Sequence, residues 1–215
     1  MALRFVLLGP PGSGKSTQGT RISAKFGVPL LGSGDLIRRH IARGTEFGKK
    51  VEAQIAAGNF APDADILYWM KRRLEEPDAA AGWVLDGFPR DVSQAWSFDQ
   101  ELGVMAHEMR AIEIRLRSRR AEARLIGRRI CGECGRTLKP GDIGDDGLCG
   151  CGGALTRRPD DEGEAVRRRM AIYRSITAPV VDYYAQDSRL ASIDGDGTED
   201  EVFERLLRAM DVDRS

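Results

Sequence analysis

Gly9 to Thr17 reads GPPGSGKST, a full match to the pattern G-x-x-x-x-G-K-[ST], between an apolar run (Leu3 to Leu8) and a helical pattern through Ile22 and Phe26. Glycines in such a loop let backbone N–H groups converge on a polyphosphate, and the helix N-terminus behind them adds about half a positive charge. Lys15 brings a full charge, and Ser16 can offer its hydroxyl to Mg²⁺. The expected nucleotide contacts are therefore Gly12, Ser13, Gly14, Lys15, Ser16 and Thr17. An ordinary Gly-Pro turn at a strand end is the bland alternative, and it needs Gly14, Lys15 and Ser16 to coincide by accident. The loop does not choose between a GTPase, a motor ATPase and a small-molecule kinase.

Two further constellations carry chemistry. In VLDGFPR (Val84 to Arg90), Asp86 ends a buried strand, which puts a carboxylate at the sheet edge where open α/β folds keep their ligands, and Arg90 follows across a stiff turn. Asp86 can hold the waters of Mg²⁺, or simply cap the turn. Cys131-x-x-Cys134 and Cys149-x-Cys151 place four potential thiolates in a stretch, Gly127 to Gly153, that holds nine of the 25 glycines and few large aliphatics. Such a stretch cannot order itself by apolar burial, and tetrahedral Zn²⁺ on four sulfurs is the usual staple. Disulfides and four idle thiols are the alternatives. The second pair is C-x-C, not a second C-x-x-C.

These residues need a scaffold, and composition allows one. The chain has 215 residues, 33 basic and 33 acidic, with 41% hydrophobic side chains, which excludes disorder and collagen-like repetition. No apolar run reaches the roughly 18 residues of a membrane span, and the apolar stretch near Met1 is too short for a signal peptide, so the expectation is a cytoplasmic protein. Zero formal charge gives no global attraction to nucleic acid or acidic membrane. Apolar runs at Pro29 to Leu31, Trp83 to Asp86, Ile112 to Leu116 and Leu190 to Ile193 read as further strands, alternating with helices. Ser33 or Asp35 is expected to cap one helix, Val92 to Leu102 to form another, and Pro179 to bend or interrupt a long one from Glu164 to Tyr184. This alternation predicts an α/β fold with a mostly parallel sheet covered on both faces.

Taken together, GPPGSGKSTQ, SGDLIR (Ser33 to Arg38), LDGFPR with Gln94, GRR (Gly127 to Arg129), RRPDD (Arg157 to Asp161) and TAPVVDYY (Thr177 to Tyr184) resemble adenylate kinase, in order from about Leu3 to Gly195. The resemblance implies the P-loop nucleoside monophosphate kinase fold, with a core at 1–31, 63–127 and 163–215, an AMP-binding arm at 32–62 and a lid at 128–162. It implies a monomer in which ATP and AMP, with Mg²⁺, interconvert with two ADP, and a structural zinc in the lid. Lys15 would face the ATP phosphates and Arg124 the ATP adenine. Ser33, Gly34, Gly87 and Gln94 would line the AMP site, with Arg38 and Arg90 on the AMP phosphate. Arg128, Arg158 and Arg169 would close on the transferring phosphoryl group. Asp160 and Asp161 would hold arginines in place or cap the next helix. Arg suits this work because it presents paired donors and stays charged when dried. A hydroxyl at Ser33, where pyrimidine monophosphate kinases resemble Ala, favours AMP over UMP or CMP. The rival from another class is a zinc-containing, nucleic-acid-binding ATPase gripping phosphodiesters with the seven arginines between Arg115 and Arg129.

Overall fold

A computed structural model of the chain describes residues 2–56, 61–144, 146–157 and 161–210. Strands β1 (Leu3–Leu8), β2 (Leu30–Gly32), β3 (Gly82–Asp86), β4 (Arg110–Arg115) and, beyond three short strands, β8 (Leu190–Asp194) form one parallel sheet in the order β2-β3-β1-β4-β8. The connecting helices are α1 (Lys15–Phe26), α2 (Ser33–Ala42), α3 (Glu46–Ala56), α4 (Asp63–Leu74), α5 (Val92–Leu102), α6 (Ser118–Gly127), α7 (Gly163–Ile172), α8 (Pro179–Gln186) and α9 (Glu199–Ala209). No helix among the described residues is long and apolar enough to cross a membrane.

β1 is apolar almost throughout because helices cover both of its faces. Val6 and Leu8 point with Leu31, Leu85 and Ala111 into a core closed by Met70, Phe98 and Tyr184 from α4, α5 and α8. Phe5 and Leu7 point the other way with Val84, Ile112 and Ile114, against Ile22 of α1 and Leu206 of α9. Each such side chain contributes about 1.5–3 kcal/mol by leaving water. Local signals set the helix ends. Asp91 caps α5 by accepting from Gln94 N at 2.8 Å, and Thr198 and Glu201 form a reciprocal box at the start of α9.

One local expectation is corrected, and the expected break at Pro179 is met. Neither Ser33 nor Asp35 caps α2: Gly32 occupies the cap position without a side-chain bond, and the Ser33 hydroxyl is used elsewhere. The long helix is three segments, α7, a wide π turn at Tyr173–Thr177 and α8, because Pro179 has no N–H to continue the ladder. The Ala178 N–H instead reaches Tyr173 O at 2.7 Å, and Pro179 begins α8 where an N–H is not needed.

Strands β5 (Arg129–Cys131), β6 (Thr137–Leu138) and β7 (Leu155–Thr156) make a separate antiparallel sheet in the order β6-β5-β7. Among the described residues its apolar interior is Cys131, Leu138 and Cys149, with Ile143 and Leu155 partly covered. That is too little to order the segment by burial alone.

Candidate functional site

The carboxyl ends of the five parallel strands open onto one crevice, and the chemistry-bearing segments leave from those ends. The Gly9–Gly14 loop follows β1, Ser33 follows β2, Asp86 to Arg90 follow β3, Arg124 and Arg128 lie beyond β4, and Gly195 follows β8. Two glycines show what shapes the loop. A Cβ on Gly12 would sit 2.5 Å from the Ala121 carbonyl oxygen of α6, so a side chain there is excluded. Gly14 caps α1 at φ 100°, a left-handed conformation, with open space on its Cβ side. The Lys15 ammonium lies within this loop, donating to Gly9 O at 2.7 Å and Pro10 O at 3.0 Å. Burial pushes its pKa down to about 8, against the pull of Asp86 and with repulsion from Arg169, Arg90 and Arg128. Four cationic side chains from separate parts of the chain thus share one electrostatic neighbourhood.

Asp86 accepts a hydrogen bond from Ser16 Oγ, pairing a carboxylate with a hydroxyl at the start of α1. Arg90 turns back so that its Nε donates to Gly87 O at 3.0 Å and its Nη2 to Ser33 Oγ at 3.2 Å. The Ser33 hydroxyl donates to the same Gly87 carbonyl at 2.7 Å. Burial lowers the Arg90 pKa, with Asp86 opposing and Arg169 adding to the effect. Buried Gln94 accepts from Arg90 N at 2.9 Å through Oε1 and donates from Nε2 to Asp63 Oδ1 at 2.5 Å.

Arg128 meets the fully buried Asp161 as a bidentate pair, both bonds 2.7 Å, and Arg169 donates to Asp161 Oδ1 at 3.0 Å. A buried carboxylate is tolerated only when so paired, and here one carboxylate aligns two guanidinium groups 41 positions apart in the chain. Asp161 therefore holds arginines; Glu162, not Asp161, stands at the cap of α7. Arg124 and Arg128, four positions apart, do not share a helix face. α6 stops at Gly127, Arg128 is already extended (ψ 141°), and Arg124 turns to the Gly195 carbonyl, 3.3 Å from both Nη atoms. Burial lowers the Arg124 pKa, with Asp196 opposing. Arg38 pairs with Asp35 at the exposed start of α2. Arg158 and Asp160 lie outside the described residues.

The four thiols converge. Cys131 and Cys151 sulfurs are 3.5 Å apart, Cys134 and Cys149 sulfurs 3.7 Å, and all four lie within 4.8 Å of one another. The C-x-C spacing is accommodated because the turn after Cys149 is pinned by Cys149 N to Gly153 O at 2.9 Å. The Cys134 N–H aimed at its sulfur, helped by Glu133 N–H and the neighbouring thiols and opposed by burial, holds the Cys131 pKa down to about 6. That is thiolate chemistry, suited to a metal.

The sequence pattern led to most of these positions, but it left Asp161 between two roles and missed Asp63 altogether. No spacing links Asp63 to Gln94, 31 residues away; its one visible signal is an acid just after a proline at a helix start. His40 packs its ring 4.2 Å from that of Trp69.

The adenylate kinase family model matches residues 7–189. The adenylate kinase of Alkaliphilus oremlandii is 40% identical, with 98% of this chain and 100% of that one covered. That of Streptomyces coelicolor is 38% identical over 99% and 100% of the two chains, and that of Archaeoglobus fulgidus 38% identical over 90% and 91%.

Proposed function

The chain belongs to the adenylate kinase family and is an ATP:AMP phosphotransferase, and from that premise we propose how its residues divide the work. The observation that supports the division is the convergence of Lys15, Arg90, Arg128 and Arg169 on one pocket against two carboxylates, Asp86 and Asp161. Such a gathering of cations suits two polyphosphates brought end to end. An oxygen of the AMP phosphate attacks the γ-phosphorus of ATP in line, and the bond from that phosphorus to the β–γ bridging oxygen breaks, leaving two ADP. Little covalent work falls to the protein; alignment and neutralisation of the crowded oxygens carry the rate.

On the ATP side, the backbone of Gly12, Ser13 and Gly14 with Lys15, Ser16 and Thr17 would hold the phosphates. Lys15 would exchange its two loop carbonyls for phosphate oxygens, and Arg124 would flank the adenine. On the AMP side, Arg38 and Arg90 would take the phosphate, while Ser33, Gly34, Gly87 and Gln94 line the base. Arg128, Arg158 and Arg169 would surround the group in flight, with Asp161 fixing the aim of two of them. The chain parts into a core (1–31, 63–127, 163–215), an arm (32–62) and a lid (128–162) that shuts water out once both substrates are seated. The lid explains why arginines flank a small separate sheet.

Ser16 Oγ and Asp86 form an all-oxygen donor pair beside the phosphate loop, which fits a hydrated Mg²⁺ carried by ATP. When bound, the ion neutralises charge on the phosphoryl oxygens. The thiol cluster fits Zn²⁺: Zn–S bonds of about 2.3 Å in a tetrahedron put sulfurs roughly 3.8 Å apart, close to the observed 3.5 and 3.7 Å. Cys131, Cys134, Cys149 and Cys151 would hold it as a cross-link for the lid, remote from the transferred phosphorus. The thiols suit a reducing, cytoplasmic setting, and the chain would act as a monomer.

A scan of ADP formation from ATP with AMP, CMP, UMP and GMP, run beside metal analysis, tests this division. AMP should be preferred by orders of magnitude, with one zinc per chain that is lost on Cys131→Ser together with a lower melting temperature. A preference for CMP or UMP overturns the assignment of Ser33 and Gln94. A full equivalent of zinc in Cys131→Ser with unchanged melting overturns the four-thiolate site.

A further inference from the structure

We propose that Asp63 is a positioning residue for base recognition: it fixes which end of the Gln94 amide faces each side of the AMP pocket, and so makes the site select a 6-amino over a 6-oxo purine monophosphate. This rests on the reading of Gln94 as a contact to the AMP base.

A glutamine amide is nearly symmetric in shape, one end accepting and the other donating, so its surroundings must choose its orientation. Gln94 is 6% exposed, and its two partners are of fixed and opposite polarity. The Arg90 backbone N–H can only donate, and it meets Oε1 at 2.9 Å; the Asp63 carboxylate can only accept from the amide, and it meets Nε2 at 2.5 Å. Turning the amide over would set N–H against N–H at Arg90 and carbonyl against carboxylate at Asp63, so one orientation is enforced from both sides. The backbone of Gln94 is pinned too, its N–H bound to Asp91 Oδ1 at 2.8 Å as part of the α5 cap.

Each end of the amide keeps one bonding position after these contacts: a lone pair on Oε1 and an N–H on Nε2. Adenine presents an N–H donor at its 6-amino group beside a ring-nitrogen acceptor, the pattern this amide complements. Hypoxanthine has the same outline, but its 6-oxo group accepts and its N1–H donates, so it demands the reversed amide. Inosine monophosphate therefore probes orientation with almost no change of size. Without Asp63, only the Arg90 N–H opposes reversal. The carboxylate also sits in the first turn of α4, where a negative charge gives ordinary helix support; that role would not distinguish the two bases.

The test measures kcat/KM for AMP and for inosine monophosphate in the wild type, Asp63→Ala and Gln94→Leu, with KM for ATP and the melting temperature as controls. Asp63→Ala should lower the AMP-to-inosine-monophosphate ratio about tenfold, the scale of one charge-assisted hydrogen bond, at unchanged KM for ATP. Asp63→Asn, of equal volume and able to turn its own amide, should lower the ratio less, and it serves as the test if the alanine variant does not fold. If Gln94→Leu collapses the ratio while Asp63→Ala leaves it intact, or lowers both substrates equally, the positioning role is overturned. If Gln94→Leu itself leaves the ratio intact, the reading of Gln94 falls first and the proposal falls with it.

Discussion

Two groups of covered charge sit at opposite ends of this molecule and behave in opposite ways. In the core, Arg189 at the entry to β8 bonds Asp99 of α5 through both Nη atoms, at 2.6 and 3.1 Å, and also reaches Asp187 and the Ala106 carbonyl. Tyr183 of α8 donates to Asp99 at 2.8 Å, and the guanidinium lies 5.0 Å from the centre of the Tyr184 ring. Burial alone would lower the Arg189 pKa, but the bonds to Asp99 and Asp187 reverse this and raise it. At the crevice burial pushes Lys15 and Arg90 down, Asp86 opposes without reversing it, and the neighbouring Arg169 adds to the lowering. A charge group whose anions are supplied by its own chain is a finished piece of structure. Cations gathered at the crevice lower one another's pKa, and an incoming polyphosphate relieves that repulsion, which is what a nucleotide site asks of them.

Substitutions should separate the two groups cleanly. Arg128→Ala is expected to cut turnover on the order of 10³-fold or more, by the standard of other arginines that face a transferring phosphoryl group. Removing Arg128 also takes the bidentate partner from buried Asp161, which keeps Arg169, so the melting temperature should fall modestly; coupled ADP assays well below that temperature, beside thermal melts on one preparation, separate the two effects. Turnover near normal would remove Arg128 from the pocket and dissolve the contrast. In the core the loss falls on stability and not on turnover. Asp99→Ala strands the buried Arg189 charge and should cost about 3–5 kcal/mol of stability in denaturant titration, while turnover per folded molecule is retained. A loss of turnover with unchanged stability would show that the core pair serves the reaction instead.

The smallest effect sharpens the comparison through protons. In the nucleotide-free protein, the Lys15 pKa of about 8 lies below its ordinary unfolded value of 10.5. Between these values the unfolded chain binds more protons than the folded one, so this group adds stability as pH rises through that window and adds none below it. A bound polyphosphate raises the Lys15 pKa again. Nucleotide binding at about pH 9 should therefore take up a fraction of a proton, an uptake that fades as the pH falls below about 8. Calorimetric titration in buffers of different ionisation enthalpy reads this directly. Lys15→Met should abolish the uptake; uptake that persists in that variant would assign the proton elsewhere.

Much of the scaffold was legible because its signals are local. GPPGSGKST between an apolar run and a helical pattern needs no distant residue to be recognised, and β3, β4 and α5 fall close to where alternation and periodicity put them. The cysteine cluster was legible for the same reason, since spacing within one glycine-rich stretch restricts where four sulfurs can go. Arg128 shows where this kind of reading stops. Helical spacing pairs it with Arg124, but α6 ends one residue too soon, and the two guanidinium groups part toward Asp161 and Gly195.

By itself, the sequence determined the family, the order of strands and helices, the phosphate loop and the thiol set, all written in neighbouring residues through backbone preference and burial. Only the tertiary structure decided that Asp161 clamps Arg128 with Arg169, that Asp63 meets Gln94, and that the Ser33 hydroxyl bonds Gly87 instead of capping its helix. The physical reason is range. A hydrogen bond acts over about 3 Å, and which side chains come that close across tens of residues depends on how the strands are ordered in the sheet.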